Sequence, residues 1–245
     1  MMDYGLQLYS IRDITQNNLE DSLRQVAELG YKTVEFAGFF GNPAKDVKNW
    51  LTRYGLTVSG THTSLDALNK DFDGVVADHK TLGCSLLIVP FTKPQTQEEV
   101  SAIVAQLNGY QSRLAAHGIT LAYHNHAHEF QPVEGGASLW DALINETSLP
   151  LEVDTFWVYA AGADPVQWMK TLRAKNRLPV IHIKDGLANG SGKPLGMGTA
   201  PVDSVYQTAV ELGVPMVVES ETLTPSGIEE ARICLHYLRS IAPRA

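Results

Sequence analysis

The stretch AHGITLAYHNH, residues 116–126, holds in one place the signals that decide the fold. A helical segment ends at Gly118, where glycine takes the left-handed conformation without strain. The run TLAYHN that follows is short and contains β-branched and aromatic residues, which predicts a strand. This strand ends in histidines, which bind metals and move protons. The repeating unit is therefore a helix that ends at a glycine, followed by a strand that ends in residues able to bind a metal or move a proton.

The same order recurs on both sides of this stretch. Glycines that end helices just before strands stand in ELGYKT, RYGLTV, TLGCSL and ELGVPM. Eight strands are predicted, at 4–10, 33–38, 57–62, 85–91, 120–125, 149–154, 179–185 and 215–220. Eight helices are predicted between and after them, at 18–29, 43–54, 65–82, 96–117, 137–146, 164–175, 201–212 and 225–242.

Eight βα units at intervals of roughly 30 residues are typical of a (β/α)₈ TIM barrel. The alternative is a doubly wound open sheet, which usually has fewer strands and a glycine-rich phosphate turn after the first one. Here the first strand is followed by YSIRDITQNN, which is no such turn. The α/β chain shows no linker or low-complexity stretch, so we expect one barrel domain over residues 1–245.

Composition and charge exclude several classes of protein. The chain has 245 residues, a net charge of -8 and two cysteines, Cys84 and Cys234, both inside apolar runs where buried hydrophobic residues are expected. The first residues lack the pattern of a signal peptide, and no window approaches the ~18 apolar residues of a membrane span. We expect a soluble, cytoplasmic protein that does not bind a membrane, and its negative charge disfavours nucleic acid as a partner.

Four residues able to bind a metal stand where predicted strands end: His124 in LAYHNH, Asp154 in LEVD, His182 in IHIKD and Glu219 in VVESE. These strand ends form the active site of a (β/α)₈ barrel, and one consistent set of inward-pointing residues contains all four. Two imidazoles and two carboxylates suit Mn, Fe, Co, Ni or Zn better than Mg or Ca. Alternatively, each is a separate structural polar group. Because His126 lies two residues after His124, the sequence does not decide which of the two histidines faces the metal.

Several motifs together resemble one family: QLYSIRD, GYKTVEFAG, SGTHTSL, LAYHNHAHEF, LEVDTFWV, HIKDG, PLGMGTAPVD and VVESE. They look like the sugar-phosphate isomerase/epimerase superfamily, the xylose isomerase-like barrels that include endonuclease IV. The resemblance implies one divalent metal, often manganese, held by Glu, Asp, His and Glu at the ends of strands five to eight. Asp154, His182 and Glu219 match, whereas His124 replaces the first Glu, and Trp157 stands where many relatives carry histidine.

The resemblance also implies which residues are catalytic. It makes Glu219 both a metal ligand and the base that takes a proton next to a carbonyl. His126 and Lys184 are the other catalytic candidates, and Glu152 and Glu221 lie on the same inward rows. Lys184 and Glu152 could equally form an ion pair within the barrel. Because relatives that epimerise ketoses use the first and last Glu as two bases, His124 puts a two-base mechanism in doubt.

Other residues are candidates for binding the substrate. His62 ends strand three, Glu35 lies near the end of strand two, and Trp157 or Phe91 could present an apolar face to a sugar ring. Glu129, in LAYHNHAHEF, is a further candidate. The glycine-rich segment GSGKPLGMGTAPVD, residues 190–203, could hold a phosphate through backbone N–H groups, although it matches no P-loop and could instead form a lid.

These observations predict an enzyme of carbohydrate metabolism that acts on a small sugar, sugar phosphate, polyol or keto-inositol. A metal-dependent isomerase or epimerase is the leading expectation, and a lyase or dehydratase that eliminates from a keto-sugar is the alternative. A nuclease like endonuclease IV and a non-catalytic carbohydrate-binding barrel are less favoured. Relatives are often dimers or tetramers, so the resemblance also implies a possible homo-oligomer.

Overall fold

Eight parallel strands close into a ring in the computed structural model, which describes residues 3–242. The barrel strands are β1 (Gly5–Gln7), β2 (Thr33–Phe36), β3 (Thr57–His62), β4 (Leu86–Val89), β5 (Thr120–His124), β6 (Leu151–Asp154), β7 (Ile181–Ile183) and β10 (Met216–Val218). Two further short strands, β8 (Asp185–Gly186) and β9 (Gly192–Lys193), pair antiparallel. The predicted TIM barrel is confirmed; residues 1–2 and 243–245 of the predicted domain lie outside the described residues.

Helices connect the strands around the outside of the ring. They are α1 (Arg12–Thr15), α2 (Leu19–Leu29), α3 (Ala44–Tyr54), α4 (Leu65–Lys70), α5 (Phe72–Leu82), α6 (Gln97–Ala115), α7 (Leu139–Glu146), α8 (Thr155–Ala160), α9 (Pro165–Ala174), α10 (Val202–Leu212) and α11 (Gly227–Ile241), with 3₁₀ helices at Leu8–Ile11 and His128–Phe130. Within residues 3–242, no helix is long and apolar enough to cross a membrane.

Two local capping contacts make the helices differ from the prediction. The predicted helix 65–82 is split at Asp71, which ends α4 and caps α5 by accepting a hydrogen bond from the Gly74 N–H at 2.9 Å. The short helix α8, which was not predicted, begins directly after β6 because Asp154 accepts a hydrogen bond from the Trp157 N–H at 3.0 Å. In both places an aspartate side chain satisfies an amide that the first helical turn leaves free.

The glycines predicted to end helices adopt the conformation that this role requires. All five have positive φ, between 62° and 103°: Gly30, Gly55, Gly83, Gly118 and Gly213. The left-handed region is nearly free of strain for glycine alone, so these residues fix where each helix turns back toward the next strand.

Alternate residues of each strand point to opposite sides, as predicted. In β6, Leu151 and Val153 belong to the hydrophobic core between barrel and helices. Glu152 and Asp154 point into the barrel, where both are fully buried. The same alternation in the other strands gives an apolar outer layer and an unusually polar interior. Cys84 and Cys234 are buried and unpaired, in line with their apolar surroundings.

Candidate metal centre and active site

The four predicted metal ligands meet at the C-terminal end of the barrel. His124 and Asp154 are the last residues of β5 and β6, His182 is central in β7, and Glu219 follows β10. One ligand atom from each lies within 4.8 Å of the others, and all four residues are buried. Neighbouring parallel strands bring their ends to the same edge, which is why residues distant in sequence converge here. The structure thus places His124, and not His126, in this cluster.

The free atoms in this cluster fit a divalent cation. Asp154 Oδ1 accepts from the Trp157 N–H, but Oδ2 is buried and has no hydrogen-bond partner, with Lys184 Nζ 3.8 Å away. Burial raises the pKa of Asp154 to about 7; Lys184 opposes the shift and Glu219 adds to it. A buried carboxylate oxygen without a donor is costly unless a cation neutralises it. Ligands at ~2.1 Å from an ion lie up to about 4.2 Å apart, so small side-chain adjustments would complete the shell.

Next to the four ligands lies a second set of polar side chains, one from each of β1, β2, β3 and β6, which we call the inner layer: Gln7, Glu35, His62 and Glu152. Glu152 Oε2 accepts from His62 Nε2 at 2.8 Å and from His124 Nδ1 at 3.1 Å. Glu35 Oε1 accepts from Gln7 Nε2 at 2.8 Å and from His62 Nε2 at 3.1 Å. The second oxygens, Glu35 Oε2 and Glu152 Oε1, are buried without a partner.

The inner layer fixes which nitrogen each histidine offers to a metal. Nδ1 of His124 faces Glu152, which leaves Nε2 as the available nitrogen. His182 shows the reverse arrangement: Nε2 donates to Glu35 at 2.7 Å and contacts Glu152 at 3.2 Å, while Nδ1 faces Glu219 at 3.4 Å. Carboxylates that hold the second nitrogen in this way orient metal-binding histidines and set their tautomers.

Burial and neighbouring charge act differently on the histidines. Burial lowers the pKa of His124 to about 3, only partly opposed by Glu152, so this imidazole is neutral. Burial also lowers the pKa of His182, but Glu152, Glu35 and Glu219 outweigh it and hold the pKa well above the usual value. The same balance, with Glu35 and Glu152 dominant, raises the pKa of His62 to about 9.

Lys184 lies among three carboxylates at the C-terminal end of the barrel, Asp154, Glu219 and Glu221. We call these four residues the mouth. The Nζ of Lys184 contacts Glu221 Oε2 at 2.5 Å, Glu219 Oε2 at 3.1 Å and Asp154 Oδ2 at 3.8 Å. Burial lowers the pKa of Lys184, but Glu219, Asp154 and Glu221 more than offset this and raise it. Lys184 is therefore a cation that donates hydrogen bonds. Lys184 thus forms ion pairs within the barrel, but Glu152 contacts histidines instead, so the alternative of a Lys184–Glu152 pair is wrong.

The remaining predicted residues lie around the cluster. The ring of His126 is centred 5.0 Å from that of His124, and its Nδ1 is buried without a partner. Glu129 is buried and accepts from the His126 N–H at 2.7 Å and from the Tyr123 hydroxyl at 3.1 Å, so it holds the loop after β5. The Trp157 ring lies 4.9 Å from Lys184 Nζ. His126 is thus on the cavity, whereas Glu129 supports it from behind.

A cavity of 580 Å³ opens above the cluster. Polar or titratable side chains line it at His62, Ser64, His124, His126, Glu219 and Glu221. The rest of the lining consists of Tyr9, Ala37, Gly38, Ala67, Pro90 and Phe91. Glu35, a predicted substrate-binding residue, has no exposed surface and is not part of this lining, whereas His62 is.

The glycine-rich segment after β7 uses its backbone donors on the protein itself. Asp185 Oδ2 accepts from the N–H groups of Gly196 and Gly198, both at 2.9 Å. Its Oδ1 accepts from the N–H of Gly186 at 2.7 Å and of Ala200 at 3.2 Å. A carboxylate of the chain thus takes the position that the phosphate hypothesis gave to a ligand. The hydrogen bonds of Asp185 explain the glycines as a tightly folded loop.

Sequence reasoning missed some residues of this site. Gln7 and Asp185 were not candidates, and Glu152 was considered only as an alternative base. Parity does place Gln7 and Glu152 inside the barrel, so the inward rows alone could have identified them as buried polar residues. No local signal shows that Glu152 would receive hydrogen bonds from histidines of three different strands.

Comparisons with known proteins agree with this architecture. The profile of the xylose isomerase-like TIM barrel family matches residues 23–241. A sugar phosphate isomerase/epimerase from Parabacteroides distasonis superposes with a TM-score of 0.86 at 24% identity, covering 99% of each chain. A zinc-bound IolI protein (TM-score 0.75, 15% identity) covers 98% of each chain. A probable 3-DHS dehydratase from Bacillus anthracis (TM-score 0.73, 16% identity) covers 96% of this chain and 99% of its own.

At these identities, the likeness to solved structures shows the fold alone. A search of curated proteins gave no significant match. The family profile, in contrast, spans nearly the whole chain and agrees with the closed eight-stranded barrel. The chain belongs to the xylose isomerase-like TIM barrel family.

Proposed function

We propose that the protein is a divalent-metal-dependent isomerase or epimerase that removes a proton next to the carbonyl of a sugar or keto-inositol. The observation that carries this proposal is the convergence of His124, Asp154, His182 and Glu219 beside an open cavity, with Asp154 Oδ2 left without a hydrogen-bond partner. The Parabacteroides structure is described as a sugar phosphate isomerase/epimerase, which supports the reaction class. The zinc bound to the IolI protein supports a metal in this fold.

His124, Asp154, His182 and Glu219 would hold the ion, for which manganese is our first choice and Zn, Co, Fe or Ni are alternatives. When bound, such an ion acidifies the C–H beside a carbonyl and stabilises the negative charge that develops on oxygen. Asp154 is fixed for this role by the α8 amide that holds its other oxygen. His124 is neutral and therefore already in the state that binds a metal.

Glu219 is the proposed base. Its Oε2 is held by Lys184 and His182, which leaves Oε1 to reach a substrate in the cavity that Glu219 lines. Although burial raises its pKa, Lys184 and His182 outweigh this effect and hold the pKa well below the usual value. Such a weak base suits only a strongly acidified C–H, which is what metal coordination provides. Lys184, a fixed cation, would donate a hydrogen bond to a substrate oxygen, and His126 would return or relay the proton.

One observation favours a lyase or dehydratase as the second candidate. The two carboxylates that line the cavity, Glu219 and Glu221, both come from the segment after β10. The opposite strand ends present His62, His124 and His126 instead. Two-base epimerisation would then need a histidine as the second base, whereas elimination needs a base on only one face. The probable 3-DHS dehydratase of similar fold is consistent with that outcome.

Solvent deuterium incorporation tests the proposal. The protein is incubated in D₂O with Mn²⁺ and a panel of ketoses and keto-inositols, and NMR follows both exchange and products. We expect exchange at the carbon beside the carbonyl, lost in Glu219→Gln and kept in Glu229→Gln, which changes a partly exposed carboxylate in the first turn of α11 that pairs with Arg232. An isomeric product identifies an isomerase or epimerase, and an unsaturated product identifies a lyase. Metal-loaded protein that exchanges no proton in any substrate contradicts the proposal.

A further inference from the structure

We infer that His126, His128 and Glu129 form a second metal site, suited to a transition-metal ion such as Zn²⁺ and separate from the four-ligand cluster. We call these three residues the loop cluster, because they lie in the segment that follows β5. One donor atom from each lies within 4.8 Å of the others, and the loop cluster shares no residue with His124, Asp154, His182 and Glu219. The inference goes beyond the proposed function, which does not require a second ion.

Glu129 is a buried carboxylate that faces no permanent positive charge. Its side chain has no exposed surface, and within residues 3–242 its only ion-pair contacts are with His126 and His128. These imidazoles are cations only when they are protonated. Burying a carboxylate without a cation is costly, so an ion bound at this position would stabilise Glu129.

His126 offers a free nitrogen to the same ion. Its Nδ1 is buried without a hydrogen-bond partner and lies 3.8 Å from Glu129 Oε1. His128 Nε2 lies 3.3 Å from the same oxygen. In a tetrahedral zinc site each donor is about 2.1 Å from the ion, which places the donors roughly 3.4 Å from one another. Small side-chain adjustments would therefore bring the three atoms into coordination.

Hydrogen bonds around the loop cluster already orient Glu129. Its Oε2 accepts from the His126 N–H at 2.7 Å, and its Oε1 accepts from the Tyr123 hydroxyl at 3.1 Å. The Tyr123 hydroxyl in turn accepts from the Thr92 N–H at 3.1 Å. Outer partners of this kind are typical of carboxylates that bind metals. The Glu129 carboxylate is thus held in place before an ion arrives.

The histidines of the loop cluster can give up protons to bind the ion. His128 Nε2 donates to the Thr92 carbonyl at 2.8 Å, and an ion would take the place of that proton, as it does at any protonated histidine nitrogen that becomes a ligand. With Nδ1 of His126 on the ion, the remaining nitrogen of this imidazole keeps its proton and can only donate. The proton relay assigned to His126 therefore belongs to the protein without the second ion.

The loop cluster is accessible to an ion. His126 lines the 580 Å³ cavity, and His128 lines a different pocket of 300 Å³. The ring of Phe91 packs against both imidazoles, with centroids 5.5 Å and 4.9 Å away, and gives the site an apolar cover. Three protein ligands leave the fourth position of a tetrahedral ion to water or to a substrate oxygen. The second ion would thus lie beside the substrate cavity.

The ligands of the two sites predict different metal preferences. Two imidazoles and one carboxylate match the His₂Glu set that binds zinc in several enzymes. Manganese binds nitrogen ligands most weakly among the first-row divalent ions, so it should occupy only the four-ligand cluster, which has two carboxylates. We therefore expect two zinc ions per chain but only one manganese ion.

Equilibrium dialysis tests this expectation. Metal-free protein without a histidine tag is dialysed against zinc or manganese, and bound metal is measured by mass spectrometry. Native protein should bind two zinc ions, His128→Gln and Glu129→Gln one each, and Asp154→Asn also one. The double variant Asp154→Asn/His128→Gln should bind none. The manganese content of His128→Gln should equal that of the native protein.

Two controls make the result specific. His236→Gln changes an exposed histidine on α11 and should keep both zinc ions. Anomalous diffraction at the zinc edge from crystals of the native protein should show one peak at His126, His128 and Glu129, which decides the matter even if the variants fold poorly. One zinc ion in the native protein, two in folded His128→Gln, an equal loss in His236→Gln, or no anomalous peak at the loop cluster overturns the inference.

The outcome is separable from that of the proposed function. Two zinc ions without deuterium exchange in any substrate keep the loop cluster and reject the proton-abstraction mechanism. Exchange with manganese in a protein that binds only one zinc ion keeps the mechanism and rejects the second site.

Discussion

The inner layer and the mouth of the barrel are both buried and both charged, but they differ in charge balance. The two carboxylates of the inner layer, Glu35 and Glu152, face two imidazoles with raised pKa, His62 of the same layer and His182 of the ligand cluster. In the mouth, three carboxylates face one ammonium: Asp154, Glu219 and Glu221 around Lys184. The inner-layer carboxylates are therefore matched by the two imidazoles, whereas the carboxylates of the mouth outnumber the ammonium. Buried charge therefore marks a reactive site only where the fold leaves it unbalanced.

The largest expected effect is the loss of metal in Asp154→Asn. Asparagine still caps α8, but it removes the negative charge beside the buried oxygen. Metal affinity should fall by about a thousandfold or more, ~4 kcal/mol, as measured by competition with a chelator. Asp164→Asn is the matched control, because Asp164 caps α9 at the surface and its loss should leave metal affinity unchanged. Equal metal affinities in Asp154→Asn and Asp164→Asn would contradict the placement of the metal at the mouth.

The next effect separates the two layers in the metal-free protein. Glu152→Gln leaves His62 and His182 with one carboxylate instead of two, so the free energy of unfolding should fall by about 3 kcal/mol. Glu221→Gln removes one of three carboxylates around Lys184, at a partly exposed position, and should cost less than about 1 kcal/mol. Urea denaturation measures both. An equal decrease in the free energy of unfolding in both variants would contradict the difference in charge balance between the two regions.

Added metal should stabilise the native protein through the mouth. At a free concentration of a hundred times the Kd, manganese should raise the free energy of unfolding by about 2.7 kcal/mol. For a chain of this size, the melting temperature should rise by roughly 5–10 °C. Glu152→Gln should keep a shift, since the four ligands remain, whereas Asp154→Asn should show none. A shift of equal size in Asp154→Asn places the ion elsewhere.

The smallest effect concerns His79, a buried histidine outside both layers. Burial lowers its pKa, and its ring nitrogens contact Thr61 Oγ1 at 2.7 Å and the Val75 carbonyl at 2.8 Å. Below the unfolded pKa of about 6.5, the unfolded chain takes up a proton that the folded state resists, so stability falls as pH falls. His79→Gln should therefore reduce the loss of stability between about pH 7 and about pH 5.5 by up to ~1 kcal/mol. An identical pH dependence in both proteins would contradict this assignment.

Most of the fold could be predicted from local signals. All eight barrel strands lie within the predicted runs, because β-branched segments and C-terminal glycines are properties of short stretches of chain. The split at Asp71 and the helix α8 were missed, because each depends on one aspartate turning its carboxylate to a nearby amide. The predicted strands also extended too far, since the last residues of several runs turn into loops and helices at the mouth.

The candidate site was predicted in part. Asp154, His182 and Glu219 followed from strand-end position and family resemblance, and the register that selects His124 over His126 came from the structure. The role of Glu129 could not be read from HAHEF, because it depends on contacts with Tyr123 and with the loop backbone. The glycine-rich segment suggested a phosphate site, because sequence cannot show that Asp185 supplies the anion.

The sequence by itself determined the order of elements, the closed parallel barrel and the set of polar residues that point inward. These follow from periodicity and from backbone preferences, which act over a few residues. Only the tertiary structure decided which of these residues come together. Three histidines from different strands contact Glu152, and Lys184 contacts three carboxylates. Tyr9 and Phe91 line the same cavity. Such contacts depend on how the strands are staggered around the ring, a property of the whole closed barrel.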